Sequence, residues 1–353
     1  MIVDTDSPVD WDDDVPLEVS EDKLYFLKMV ATVREKLSRH PGSSLIRAHF
    51  QDVRLDEIEK KIAGTDASDL EWTYWQPFFL FLKNASEAEI DILDDDLRIV
   101  SDRTPLGESP VCRFLRDETE DANPWVGGLF EVFAKAALLR SNFLTVDALD
   151  WRLPNGRDID AKVRIGQRTV GVEITTRGDS TAAKGRWERH CTEILAEDRD
   201  QAFCESQDAY APGRWLYDTV FNKLALDFNA TRSQFLPDAA NLLLIGLSPL
   251  VSDLTPSSPA IGWALDELFS RQPTQNNSPV SLEAYLRHKL QGQTGTMTEL
   301  LAAPSEISGV LVFDRCTLKV ARINYNAREG CRLSHEEMAC FEKVLACPPA
   351  YCN

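Results

Sequence analysis

Two short stretches place carboxylates at intervals suited to chemistry: Gly156-Arg157-Asp158-Ile159-Asp160 and Val170-Gly171-Val172-Glu173-Ile174-Thr175. From Asp158 to Ile165, polar Asp158, Asp160, Lys162 and Arg164 alternate with apolar Ile159, Ala161, Val163 and Ile165. Successive side chains of a strand point to opposite faces, so the pattern predicts a strand with both aspartates and Lys162 on one face. Gly166-Gln167 suits a hairpin turn, after which Val170, Val172 and Ile174 form an apolar face and Glu173 and Thr175 fall opposite. With both apolar faces on one core, Asp158, Asp160 and Glu173 converge. Carboxylates brought together repel unless a cation or proton relieves them. A hard divalent cation with oxygen ligands, such as Mg²⁺ or Mn²⁺, fits that need. A solvated hairpin face with scattered charge is the plainer alternative.

A fourth carboxylate lies upstream. From Val126 to Leu139 the apolar residues nearly encircle a predicted helix, which marks it as substantially buried. Glu131 sits in the middle of that run, and a buried carboxylate is costly unless paired or metal-bound. An i,i+4 ion pair with Lys135 is the simpler role.

Together these residues resemble the core of the PD-(D/E)XK nuclease superfamily, the restriction-endonuclease-like proteins. In that family a helix bearing a glutamate precedes a strand with a metal-binding aspartate, and a hairpin leads to a strand bearing E-x-K. Glu131 matches the helix glutamate, Asp158 or Asp160 the aspartate (with Asp158 preferred) and Glu173 the strand glutamate. The resemblance spans about residues 123 to 335. It implies a Mg²⁺- or Mn²⁺-dependent phosphodiesterase, a bacterial DNA endonuclease in a defence or restriction setting, with Asp158, Asp160, Glu173 and Glu131 as metal ligands. Thr175 stands where the family has lysine, and the lysine stabilises charge in the transition state. Lys162, on the face of the aspartates, and Lys184, beyond the second strand, are the candidates to replace it. The alternative is a lapsed nuclease scaffold that serves as a regulatory or nucleic-acid-mimicking binding protein, since fold alone does not fix function.

The elements needed to position these residues are legible as an α/β fold: a mixed central sheet flanked by helices, preceded by an acidic α-helical region. An amphipathic helix is predicted at 214–228, a strand buried on both faces at 241–247, and further strands at 308–313 and 317–325. Upstream, Leu24, Leu27, Val30, Val33 and Leu37 stripe a helix from Glu21 to Arg39. Further helices are predicted at 55–63, at 70–82 with Trp72, Tyr74, Trp75, Phe78, Phe79 and Phe81, and at 86–93 behind a Ser86–Glu89 capping box. The domain reading is an acidic disordered tail at 1–22, an acidic helical domain at 23–122 that closes on a linker, and a nuclease-like domain at 123–353.

Charge divides the 353-residue chain unevenly. Residues 1–122 hold 29 acidic against 14 basic residues, a net −15, and residues 123–353 hold 28 against 24, a net −4. The first 22 residues carry nine acids and no Lys or Arg. Such a surface repels nucleic acid, whereas Arg157, Lys162, Arg164, Arg168, Arg177, Lys184, Arg186 and Arg189 cluster around the motif and could follow a phosphate backbone. Nucleic acid, DNA in particular, is therefore the expected partner, with the acidic helical region available to a protein partner or to self-association. No apolar run reaches membrane-spanning length. Without a signal-like N-terminus the expectation is a cytoplasmic protein whose eight cysteines are reduced. Cys331, Cys340, Cys347 and Cys352 read as loose tail thiols, because their spacing fits no zinc pattern.

Overall fold

The computed structural model describes residues 21–39, 44–49, 52–64, 77–104, 122–177, 212–224, 234–247, 258–270, 282, 286 and 302–352. These fall into two compact units, Met1–Asp91 with Glu118–Glu120, and Ile92–Asp117 with Asp121–Asn353. The division lies upstream of the 122/123 boundary read from the sequence.

The first unit is helical: α1 (Glu21–Arg39), α2 (Leu45–His49), α3 (Asp52–Gly64), α4 (Pro77–Asn84) and the start of α5 (Glu87–Ser101). In α1 the buried stripe is Phe26, Met29, Val30, Val33 and Leu37. Leu24 and Leu27 are only half-buried, so the face in contact is rotated from the expected one toward the larger Phe26. The Lys36 ammonium donates to the carbonyls of Leu82, Lys83 and Ala85, satisfying acceptors that the end of α4 leaves open. The capping box before α5 forms as expected: the Glu89 amide donates to Ser86 Oγ at 3.3 Å and the Ser86 amide to Glu89 Oε2 at 2.6 Å. Trp72, Tyr74, Trp75, the 1–20 tail and the 105–121 linker lie outside the described residues.

The second unit is α/β. Helix α6 (Ala122–Arg140) leads into β1 (Thr145–Arg152), β2 (Asp158–Ile165) and β3 (Arg168–Arg177). Then follow α7 (Pro212–Lys223), β4 (Ala240–Leu247), α8 (Ser258–Ser270), β5 (Gly309–Asp314), β6 (Thr317–Ile323) and α9 (His335–Val344). The six strands lie side by side in chain order. β1, β2 and β3 are antiparallel, β3, β4 and β5 parallel, and β6 antiparallel to β5. Gly166 makes the β2–β3 turn with φ 59°, a left-handed conformation open to glycine.

Helices cover both faces, and β4 shows it residue by residue. Leu242 and Leu244 pack with Phe130 and Phe133 of α6 and Met338 and Phe341 of α9. Leu243, Ile245 and Leu247 pack with Leu216, Val220 and Phe221 of α7 and Leu265 and Leu268 of α8. Every position of β4 is therefore buried, as its unbroken apolar run requires.

The C-terminus departs from expectation. α9 is a capped helix with Met338 and Phe341 buried, and Cys331 is buried with it, so it is no loose tail. Cys331, Cys340 and Cys347 are free thiols. Cys316 is disulfide-bonded, contrary to the expectation that all eight cysteines are reduced. No helix among the described residues is long and apolar enough to cross a membrane.

Candidate functional site

The site forms where β2 and β3 part. Their ladder runs from Ile165↔Arg168 to Ala161↔Val172 and stops. β2 nevertheless stays paired with β1 as far as Asp158, and β3 with β4 as far as Arg177. Asp160 is the first residue beyond the last β2–β3 pair, and its Oδ2 accepts the Ile174 amide at 2.6 Å. A carboxylate thus replaces a main-chain ladder bond, satisfying a donor that separation of the strands would orphan.

The gap in the sheet is reached from both helical layers. From α6, the Lys135 ammonium contacts Glu131 Oε1 at 2.5 Å, Asp150 Oδ1 at 2.7 Å and Asp160 Oδ1 at 3.7 Å. From α7, on the other face, Lys223 donates to Glu173 Oε1 at 2.6 Å. Asp150 reaches the cluster from β1 with φ 46°, a backbone state uncommon outside glycine and tolerated by aspartate. Carboxylate oxygens of Glu131, Asp150 and Asp160 lie within 4.8 Å of one another.

Burial grades the cluster. The side chains of Lys135 and Glu173 are 0% and 2% exposed, while those of Glu131, Asp160 and Lys223 keep 33%, 21% and 21%. Burial lowers the affinity of Lys135 for its proton, but Glu131, Asp160 and Asp150 outweigh it and hold the ammonium charged. Burial likewise opposes charge on Lys223, and Glu173 and Asp160 restore it. Burial pushes the Asp160 carboxyl upward against the pull of Lys135. Glu173 is raised well above the usual carboxylate range, by burial first and by Asp160 second, with Lys223 opposing. Its Oε2 is buried without a hydrogen-bond partner.

In formal charge the four carboxylates Glu131, Asp150, Asp160 and Glu173 face two ammoniums, Lys135 and Lys223, which leaves −2. Repulsion of this kind is relieved by proton uptake or by a cation. The donor set, oxygen only, suits a hard divalent ion. Asp160 and Glu173 fit such an ion best, because Glu173 Oε2 is a buried acceptor without a hydrogen-bond partner, whereas the Lys135 ammonium already sits among Glu131, Asp150 and Asp160.

The structure brings together Glu131, Asp160 and Glu173 of the residues expected from the sequence, and separates others. Asp158, preferred as the aspartate ligand, begins β2 on the exposed side and pairs with Arg152 at 3.2 Å. Two residues along a strand carry it about 6.6 Å past Asp160. Lys162, expected to replace the motif lysine, lies with its ammonium 5.3 Å from the centre of the Trp151 ring instead. Thr175 is half-buried on β3, and Lys184 lies outside the described residues. Glu131, read as the buried charge of its helix, is only half-buried; Lys135 is the buried one.

Asp150, Lys135 and Lys223 were not foreseen as functional residues, and two of them had a signal. Lys135 belongs to a helix apolar on every side, where a lysine cannot escape burial. Lys223 continues the i, i+4, i+7 stripe of Leu216 and Val220. Asp150 depends on a local backbone conformation that carries no pattern.

Two residues of the basic cluster are neutralised in place: Arg164 pairs with Asp147 and Arg168 with Glu337. Arg168 also donates to the carbonyls of Gly330 and Arg332. Lys184, Arg186 and Arg189 lie outside the described residues. Comparison with protein-family models, with curated proteins and with solved structures finds no match for this chain.

Proposed function

We propose that this chain is a metal-dependent phosphodiesterase with a restriction-endonuclease-like core, acting on nucleic acid, DNA in the first instance. The observation that carries the reading is Glu173 Oε2, a buried acceptor with no partner beside Asp160, at the point where β2 and β3 separate. The order of elements supports it: a glutamate-bearing helix, an antiparallel β1–β2–β3 unit, a crossover helix, and β4 parallel to β3.

Asp160 and Glu173 would hold the ion, and a divalent cation such as Mg²⁺ bound there would supply polarisation of a phosphate and a lowered pKa for an attacking water. The Ile174 amide on Oδ2 and the Lys135 ammonium on the side of Oδ1 fix the orientation of the Asp160 carboxylate. Lys223, partly exposed and bonded to Glu173, supplies the positive charge that Thr175 cannot, and stabilises negative charge developing on the phosphate. Lys135 pins Glu131 and Asp150 and fixes the floor of the cluster.

The test is cleavage of single- and double-stranded DNA and RNA by the full chain in Mg²⁺ or Mn²⁺, with Glu173→Gln as control. Metal-dependent cleavage abolished by that substitution, in a protein with an unchanged thermal transition, is expected. A second reading, a lapsed scaffold that binds partners, draws on Thr175 and on the ammoniums already paired in the cluster. It takes over if the folded wild type neither binds Mn²⁺ nor cleaves any of these substrates.

A further inference from the structure

We infer that Lys135 is a built-in cation occupying what would otherwise be a second divalent-ion site, so that the chain binds one ion where its carboxylates could hold two. This rests on the metal-dependent reading above. Three carboxylates from three elements, Glu131 of α6, Asp150 of β1 and Asp160 of β2, present oxygens within 4.8 Å of one another. Such a set is an oxygen cage for a hard cation. Its cation is already present: the ammonium of a side chain with no exposed surface, in contact with all three.

Lys135 leads to this cage from the packed layer of Phe130, Phe133 and Ala134, so it cannot swing out to solvent without opening that core. An incoming ion would therefore have to displace a charge that has nowhere to go. The other side of Asp160 differs. There Glu173 Oε2 is buried without a partner, and the nearest ammonium, Lys223, is bonded to Oε1 and partly exposed. Asp160 is shared: Lys135 faces its Oδ1, and its Oδ2 already takes the Ile174 amide, so an ion on the Glu173 flank would use the remaining lone pair of Oδ2.

Calorimetric titration of the full-length chain with Mn²⁺ alone tests this. The wild type takes up one ion, and Lys135→Met, which keeps the length of the side chain and removes its charge, takes up two. Adding Glu131→Gln to Lys135→Met returns the stoichiometry to one. The thermal midpoint of Lys135→Met rises more with Mn²⁺ than that of the wild type, because the metal replaces the missing charge. One ion in both wild type and folded Lys135→Met overturns the inference and leaves the metal-dependent reading standing. No ion in the wild type overturns both. Should Lys135→Met fail to fold, Glu131→Gln alone decides: the single ion is kept, weakened by about 10- to 100-fold at most, if Glu131 serves Lys135, and its loss makes Glu131 a ligand and overturns the inference.

Discussion

Asp158 and Asp160 are two residues apart on the same strand, and their surroundings give them different work. Asp158 is exposed and answered by Arg152, whereas Asp160 fills the gap between strands and meets Ile174, Lys135 and, through Glu173, Lys223. Alternation reveals which face a residue takes; it does not reveal where a ladder ends. For that reason the sequence supplied both aspartates, and its preference for Asp158 fell on the one that lies outside the cluster. Asp160→Asn is expected to lower Mg²⁺-dependent cleavage by more than about 100-fold, as loss of a metal ligand does, while Asp158→Asn changes it by less than about threefold. Equal losses would return Asp158 to the site. Lys223→Met is expected to cost about 10²–10³-fold in kcat, the scale of a lost charge-stabilising group. It should leave Mn²⁺ binding measurable by calorimetry, and Lys162→Met should leave kcat nearly unchanged.

At the scale of elements, the buried strand β4, the hairpin β2–β3 and helices α6 and α7 were legible because their periodicities are strong, whereas α8 and α9 were not read from the sequence. β1 was not, because the bulge between Val146 and Ala148 and the left-handed Asp150 interrupt its alternation. The register of α6 against the sheet is set by a close contact invisible in sequence: a Cβ on Gly246 would lie 2.6 Å from Phe130 Cγ. Phe130 is held between Phe133 and Phe313, with ring centroids at 6.2 and 5.2 Å, and has little room to yield. Gly246→Ala is expected to destabilise the fold by about 1–3 kcal/mol in denaturant titration. It should also weaken activity, because Glu131 and Lys135 ride on the same helix. A second test concerns Asp96 of α5, buried against Arg140 and Tyr351. Burial raises its carboxyl above the usual range, with Tyr351 and Arg140 opposing. A raised native pKa means that its stabilising contribution is full below the unfolded value of about 3.9 and is lost as pH rises through the native value. In thermal melts the advantage of wild type over Asp96→Asn should therefore be largest at the acid end and shrink with rising pH; an advantage that grows with pH would contradict this.

At the scale of the whole molecule the acidity of the first part of the chain is its plainest feature, legible from composition alone. Replacing the nine acids of residues 1–22 with their amides takes the net charge from −19 to −10. Non-specific DNA binding by the full chain should then tighten at low salt, and the difference should fade once the Debye length falls below about 10 Å. A difference independent of salt would point to a contact other than long-range charge. The account as a whole turns on one place in the molecule, the flank of Asp160 that faces Glu173. A crystal soaked in Mn²⁺ and recorded at the manganese edge tests it most directly. The account predicts a single anomalous peak touching both Asp160 and Glu173, with Lys135 still seated among Glu131, Asp150 and Asp160. No peak beside Asp160, or a peak within the cage that Lys135 has left, would contradict it.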